Sequence, residues 1–163
     1  MPEVGLASLI LIIRTKKCNP MARINAYLNF PGNTEEAMNF YKSVFGGDFT
    51  VFQRFRDIPG GEKMSDEDQE KMMNISLPLR GGSVLMATDT LDSMGQELVV
   101  GNNFHLAVQA TSEREADAIF EKLSAGGQVR LAMNKAFWNA YFGMLVDRFG
   151  IQWMIAFDYP QNK

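Results

Sequence analysis

Residues 33–47, NTEEAMNFYKSVFGG, and residues 112–127, SEREADAIFEKLSAGG, are two versions of one pattern. Each opens on a residue able to cap a helix, Asn33 or Ser112, followed three positions later by a glutamate, Glu36 or Glu115. In such a capping box the cap oxygen accepts a first-turn amide while the glutamate reaches back to the cap. Ala37, Tyr41 and Val44 share one stripe of the first helix, as Ala116, Phe120 and Leu123 do of the second. Both patterns stop at a glycine pair suited to a left-handed helix end. Cap and stripe recur at a spacing of 79 residues, so the chain is expected to be a duplicated unit.

Strands flank both helices. INAYLNF (24–30) precedes the first and NFHLAVQA (103–110) the second, each alternating enough for a half-buried strand. DFTVFQRF, MMNISLPL and SVLMATD follow the first helix; QVRLAMNK, AYFGMLVD and IQWMIAFD follow the second. Each half therefore reads βαβββ. Gly82 and Met86 match Gly150 and Met154 at a spacing of only 68, because the first half carries an acidic connection, DIPGGEKMSDEDQEKM (57–72). That stretch is expected to be a solvated loop with a short helix capped by Ser65. The expected fold is α+β: two βαβββ modules, about 22–92 and 101–158, within one domain spanning 22–158. They would form a curved mixed sheet with helices outside and a cleft for a small ligand within.

Composition narrows the function classes. Apolar residues make up 46% and charged residues 21% of the 163 residues, the balance of a globular chain able to bury a core. A net charge of −3 lacks the basic excess that nucleic-acid binding needs, so no nucleic-acid partner is expected. The single cysteine, Cys18, allows neither an internal disulfide nor a cysteine-rich zinc site, which fits the cytoplasm. Residues 1–21 form an N-terminal extension with an apolar run, Val4–Ile13, followed rather than preceded by Arg14, Lys16 and Lys17. The run is too short to span a bilayer and its charge order is the reverse of a signal peptide. An extra β-segment or oligomer contact, a start at Met21, and a membrane anchor remain open for it; no membrane partner is expected of the protein as a whole.

Strand alternation assigns faces. Leu106 and Val108 should pack beneath the second helix, leaving His105, Ala107 and Gln109 on the open face. Carried across the repeat at 79 residues, this register places Ala26, Leu28 and Phe30 on the open face as well. In the last strands Trp153, Ile155 and Phe157 suit the helix side. Gln152, Met154 and Ala156 then face the cleft with Val84, Met86 and Thr88.

YLNFPGNTEEAMNFYKSVFGG, GGSVLMATD and AFWNAYFGMLVDRFGIQWMI together resemble the vicinal oxygen chelate superfamily of glyoxalase I, bleomycin-resistance proteins and extradiol dioxygenases. Within it they are similar to the PhnB-like branch, often labelled 3-demethylubiquinone 3-methyltransferase. The likeness covers about residues 22–158 and is most specific at Phe137, Trp138, Phe142, Gly143, Asp147, Phe149, Gly150 and Trp153. It implies that metal-dependent members hold their ion at positions matching Ala26, Met86, His105 and Met154. Only His105 among these is a donor for a hard divalent ion, and open catalytic sites normally keep three protein ligands. No metal and no cofactor are therefore expected.

His105, the only histidine, is the candidate catalytic residue as a general base, or else a hydrogen-bonded pocket-wall residue. The expected ligand-binding residues are Leu28, Phe30, Met86, His105, Gln109, Trp138, Gln152 and Met154. Trp138 would close the cleft or fill a subunit contact, and Asp147 and Gly150 would only shape a turn. The leading expectation is a metal-free cytoplasmic homodimer that binds a small, partly apolar molecule of unknown identity. The alternatives are a glyoxalase-type lyase or isomerase or dioxygenase-like enzyme using His105, then a methyltransferase. Last place goes to methyl transfer because no glycine-rich strand-to-helix turn of the doubly wound kind is present.

Overall fold

A computed structural model describes residues 23–160; the expected N-terminal extension, 1–21, lies outside the described residues. The first module runs β1 (Ala26–Phe30), α1 (Thr34–Phe45), β2 (Val51–Arg54), α2 (Asp66–Glu70), β3 (Met72–Pro78) and β4 (Val84–Asp89). The second runs β5 (Leu106–Gln109), α3 (Glu113–Ser124), β6 (Gln128–Ala136), β7 (Ala140–Val146) and β8 (Gln152–Asp158). The fold is the expected α+β pair of βαβββ modules, and α2 is the short helix in the acidic connection. Its cap is Ser65, which accepts from the Asp68 amide.

Each module folds its own four-stranded sheet, in the order β1-β4-β3-β2 or β5-β8-β7-β6, with the first pair parallel and the others antiparallel. Among the described residues the single curved sheet expected is thus two sheets with no ladder between them. Their helix-covered faces look into one shared core, where Met38, Tyr41 and Val44 of α1 meet Ala116 and Leu123 of α3, Leu85 and Ala87 of β4, and Trp153 and Ile155 of β8. Gly143 makes room for α3: a Cβ there would sit 2.9 Å from the Phe120 ring and 2.6 Å from the Met133 sulfur.

The register of β1 differs from the expected one. Leu28 and Phe30 are 5% and 2% exposed and belong to the core, while Tyr27 and Asn29 take the open face. Ladder partners show why. Leu28 pairs with Ala87 and Val108 with Ile155, so β1 and β5 correspond at 80 residues although their helices correspond at 79. Counted from the equivalent residues Phe30 and Ala110, two residues, Pro31 and Gly32, lead to the cap position of α1, whereas Thr111 alone leads to that of α3. A slip of one residue turns every side chain of a strand to its other face.

The same insertion changes the helix start. Asn33 makes no capping bond; Asp89, at the end of β4, accepts the Gly32 and Thr34 amides at 3.0 Å each, and the Met72 amide at 2.8 Å. In the second module Ser112 caps α3 as expected, accepting the Glu115 amide at 3.1 Å.

Asp147 fastens the modules together. Its Oδ1 accepts the Phe149 and Ile151 amides at 2.8 and 3.0 Å, forming the turn expected of it, with Gly150 at φ +86°. Its Oδ2 accepts the Tyr41 hydroxyl of α1 at 2.7 Å and the Trp153 indole at 2.8 Å. Burial, then the neighbouring Asp147 charge, pushes the Tyr41 phenol well above its usual range, so it remains a donor.

Candidate ligand-binding site

Each sheet keeps one face away from the shared core, and the two faces differ in chemistry. On the first, ladder register and alternation align Tyr27 and Asn29 of β1, Met86 and Thr88 of β4, Asn74 and Ser76 of β3, and Gln53 of β2. On the second they align Ala107 and Gln109 of β5, Gln152, Met154 and Ala156 of β8, and Phe142, Met144 and Val146 of β7. Met86, Gln152 and Met154 therefore hold the face expected of them. Gln152 is already engaged: its amide donates to the Phe104 carbonyl at 2.9 Å and so ties the chain before β5.

Trp138 stands on the turn between β6 and β7, 53% exposed, with its ring 5.5 Å from that of Phe142. Phe142 is 9% exposed although it belongs to the open row. The neighbouring Phe137 ring, 4.8 Å from Trp138, is 97% exposed. This turn sets an aromatic rim at one end of the second face.

His105 lines a groove of about 680 Å³ between the modules, which Ala107 and Gln109 reach from the β5 edge of the second open face. Its wall of Val44, Phe45, Ile119 and Trp153 is apolar, and Arg80, Glu115 and Lys122 bring charge to it. The register read from the sequence names no acid beside His105. Glu115, in the first turn of α3, shares this groove, and its place as third residue of a capped helix is the signal the sequence offers. Glu115 accepts the Thr111 hydroxyl and amide at 2.5 and 2.8 Å, with Arg80 at 3.7 Å. The Thr111 hydroxyl, then its amide, then the Arg80 charge hold the Glu115 carboxyl below its usual range, which makes it a poor base.

The donor set does not fit the superfamily's divalent ion. Met86 and Met154 offer thioethers, soft ligands unsuited to hard divalent cations. Their ladder partners on the open rows are Tyr27 and Ala107, while Ala26 belongs to the helix-side row and His105 lies one residue before β5. Among the described residues no three or more His, Cys, Asp or Glu side chains gather as a metal group.

Comparison with known proteins places this architecture. A family model described as 3-demethylubiquinone-9 3-methyltransferase matches residues 22–156. The chain belongs to this family. Protein PA1353 from Pseudomonas aeruginosa is 31% identical, with a TM-score of 0.75, covering 85% of this chain and 98% of its own. The PhnB protein from Bacillus cereus is 24% identical, with a TM-score of 0.67 over 83% of this chain and 99% of its own. The fosfomycin resistance protein FosX from Listeria monocytogenes, solved with Mn(II) and sulfate, shares the fold at 11% identity, with a TM-score of 0.57 over 85% and 94%. The chain is thus a PhnB-like family member whose structural neighbours include glyoxalase, bleomycin-resistance and dioxygenase proteins.

Proposed function

We propose that this family member binds a small, partly apolar molecule on its open sheet faces without a divalent metal, as a homodimer in the cytoplasm. The observation that carries this reading is the pair Met86 and Met154, thioethers on the open rows at the positions matched to metal ligands. Met144 and Met154, the next same-face ladder pair along from Phe142, which Trp138 edges, give an adaptable apolar lining that binds rather than activates. Among the described residues no helix is long and apolar enough to cross a membrane. A dimer is favoured because β1 and β5 stand at sheet edges, and edge strands are normally covered. Opposing open faces from two copies would then enclose a cleft.

A second reading, an enzyme of the glyoxalase or dioxygenase type using His105, draws on one observation: His105 shares its groove with Glu115, Arg80 and Lys122. The methyltransferase activity in the family's description ranks third. Neither sheet is doubly wound and parallel, the arrangement that cradles a nucleotide-like cofactor.

Native mass spectrometry of untagged protein tests the leading reading. A dimer that retains a small organic molecule, and still retains it in His105→Ala, is expected. A monomer that retains nothing, or methyl transfer from S-adenosylmethionine to a quinone precursor, would contradict it.

A further inference from the structure

We infer that the molecule bound on the second sheet's open face is an uncharged planar aromatic carrying hydrogen-bonding substituents; this rests on the reading of that face as a ligand site. The ring has a matched surface: Met144 and Met154 are cross-strand partners, Phe142 pairs with Ala156 beside them, and Trp138 rises at the end against Phe142. Thioether and aromatic groups contact flat rings favourably, and tryptophan adds a large surface at small entropic cost.

Charge on this face decides the rest. The aligned residues Ala107, Gln109, Phe142, Met144, Val146, Gln152, Met154 and Ala156 include no ionisable group. Asp158 ends the β8 row at an exposed position, Arg130 lies in a bulge of β6 between Val129 and Leu131, and Lys135 points to Glu113 and the Tyr159 ring. The opposite candidate wall is neutral too, since Tyr27, Asn29, Gln53, Asn74, Ser76, Met86 and Thr88 line the first sheet's open face. On the Met144, Met154 and Phe142 surface a carboxylate would lose its hydration and meet no counter-charge, and an ammonium would find only the exposed Asp158 at the row's end; Arg80, Glu115 and Lys122 lie in the groove beyond Gln109. Amides are what these faces offer. Among the described residues the Asn29, Gln53 and Gln109 side chains make no hydrogen bond, and each can both donate and accept.

The two tryptophans provide the readout. Trp153 is 2% exposed and bonded to Asp147, whereas Trp138 is half exposed on the candidate face. The full-length ¹⁵N-labelled protein is titrated with 1-naphthamide, 1-naphthoate and 1-naphthylmethylammonium, and both indole N–H signals are followed. The neutral amide is expected to bind about tenfold or more tightly than either ion, given the desolvation of an unpaired charge. It should shift the Trp138 signal and leave that of Trp153 in place. Trp138→Ala should weaken the amide by about tenfold, with the Trp153 signal unchanged as proof of folding. Equal or tighter binding of an ion overturns the uncharged class but leaves the face as a ligand site. Binding that Trp138→Ala does not alter overturns the aromatic placement. If none of the three probes binds, the ligand-site reading falls and this inference with it.

Discussion

Leu85 and Trp153 hold equivalent places on the last strands of their modules, as do Ala87 and Ile155, and all four are buried against the shared core. One residue away, on the open rows, the modules diverge. Thr88 stands where the second module has Ala156, Asn74 where it has Phe142, and Ser76 where it has Met144. Only Met86 and Met154 agree. Core rows admit apolar groups, or a polar one whose bonds are all met as at Asp89, because close packing penalises both unpaired polarity and lost volume. Open rows carry no such demand, so a duplicated scaffold can hold one amide-rich face and one thioether and aromatic face. In the proposed function it is therefore the rows facing away from the helices, free to diverge, that would set ligand specificity.

The comparison breaks first at Asp147, the group through which the second module holds the first. Asp147→Ala removes the acceptor of the Tyr41 hydroxyl, the Trp153 indole and two turn amides, and should cost about 3–5 kcal/mol. Urea unfolding checks it; a loss under about 1 kcal/mol would show that the modules are held by packing alone. Tyr41→Phe, which leaves the indole bond in place, should cost about 1–3 kcal/mol. A pH effect accompanies it. The folded phenol keeps its proton above the value at which an unfolded tyrosine loses it, about 10. Its contribution is full below that pH and declines as pH rises above it. Tyr41→Phe should remove that part of the alkaline loss, and an unchanged slope would assign the loss to other groups.

Adjacent residues of β1 sharpen the contrast between rows. Leu28→Ala should cost about 3 kcal/mol as a core truncation, and Tyr27→Ala about 1 kcal/mol or less on the open face. The reverse order would restore the 79-residue register for β1. The smallest effect on stability belongs to the open rows. Converting Met144 to Ser, the residue at the equivalent place in the first module, should change it by under about 1 kcal/mol while weakening aromatic ligands severalfold. A calorimetric scan with a naphthamide titration checks both; a large stability loss with unchanged binding would make Met144 a core residue.

Much of this organisation was legible in local pattern. Helix caps, stripes and glycine stops lie within a few residues of one another, so α1, α3 and the βαβββ order could be read directly. The face of β1 could not be read from the helix spacing, because the extra residue at Pro31–Gly32 lies between the strand and the helix used to set it. Counting back from the equivalent ladder partners, Ala87 and Ile155, would have found the slip. Asp89 replaces Asn33 at the start of α1, and Tyr41 reaches Asp147 across 106 positions. Such partners are chosen by tertiary packing, and no short window of sequence contains both. The grouping of His105 with Glu115 and Arg80 has the same origin, whereas Met86 and Met154 were placed correctly because each β4 and β8 residue could be judged from its own strand.

The claim on which the functional account turns is that the open rows lack the donors for a divalent ion. Equilibrium dialysis of untagged, chelator-free protein against Zn(II), Ni(II) and Mn(II), followed by metal analysis, tests it most directly. Far less than one ion per chain is expected, with no difference between the native protein and His105→Ala. One tightly held ion per chain, released by His105→Ala, would contradict the account and favour the metal-dependent enzyme.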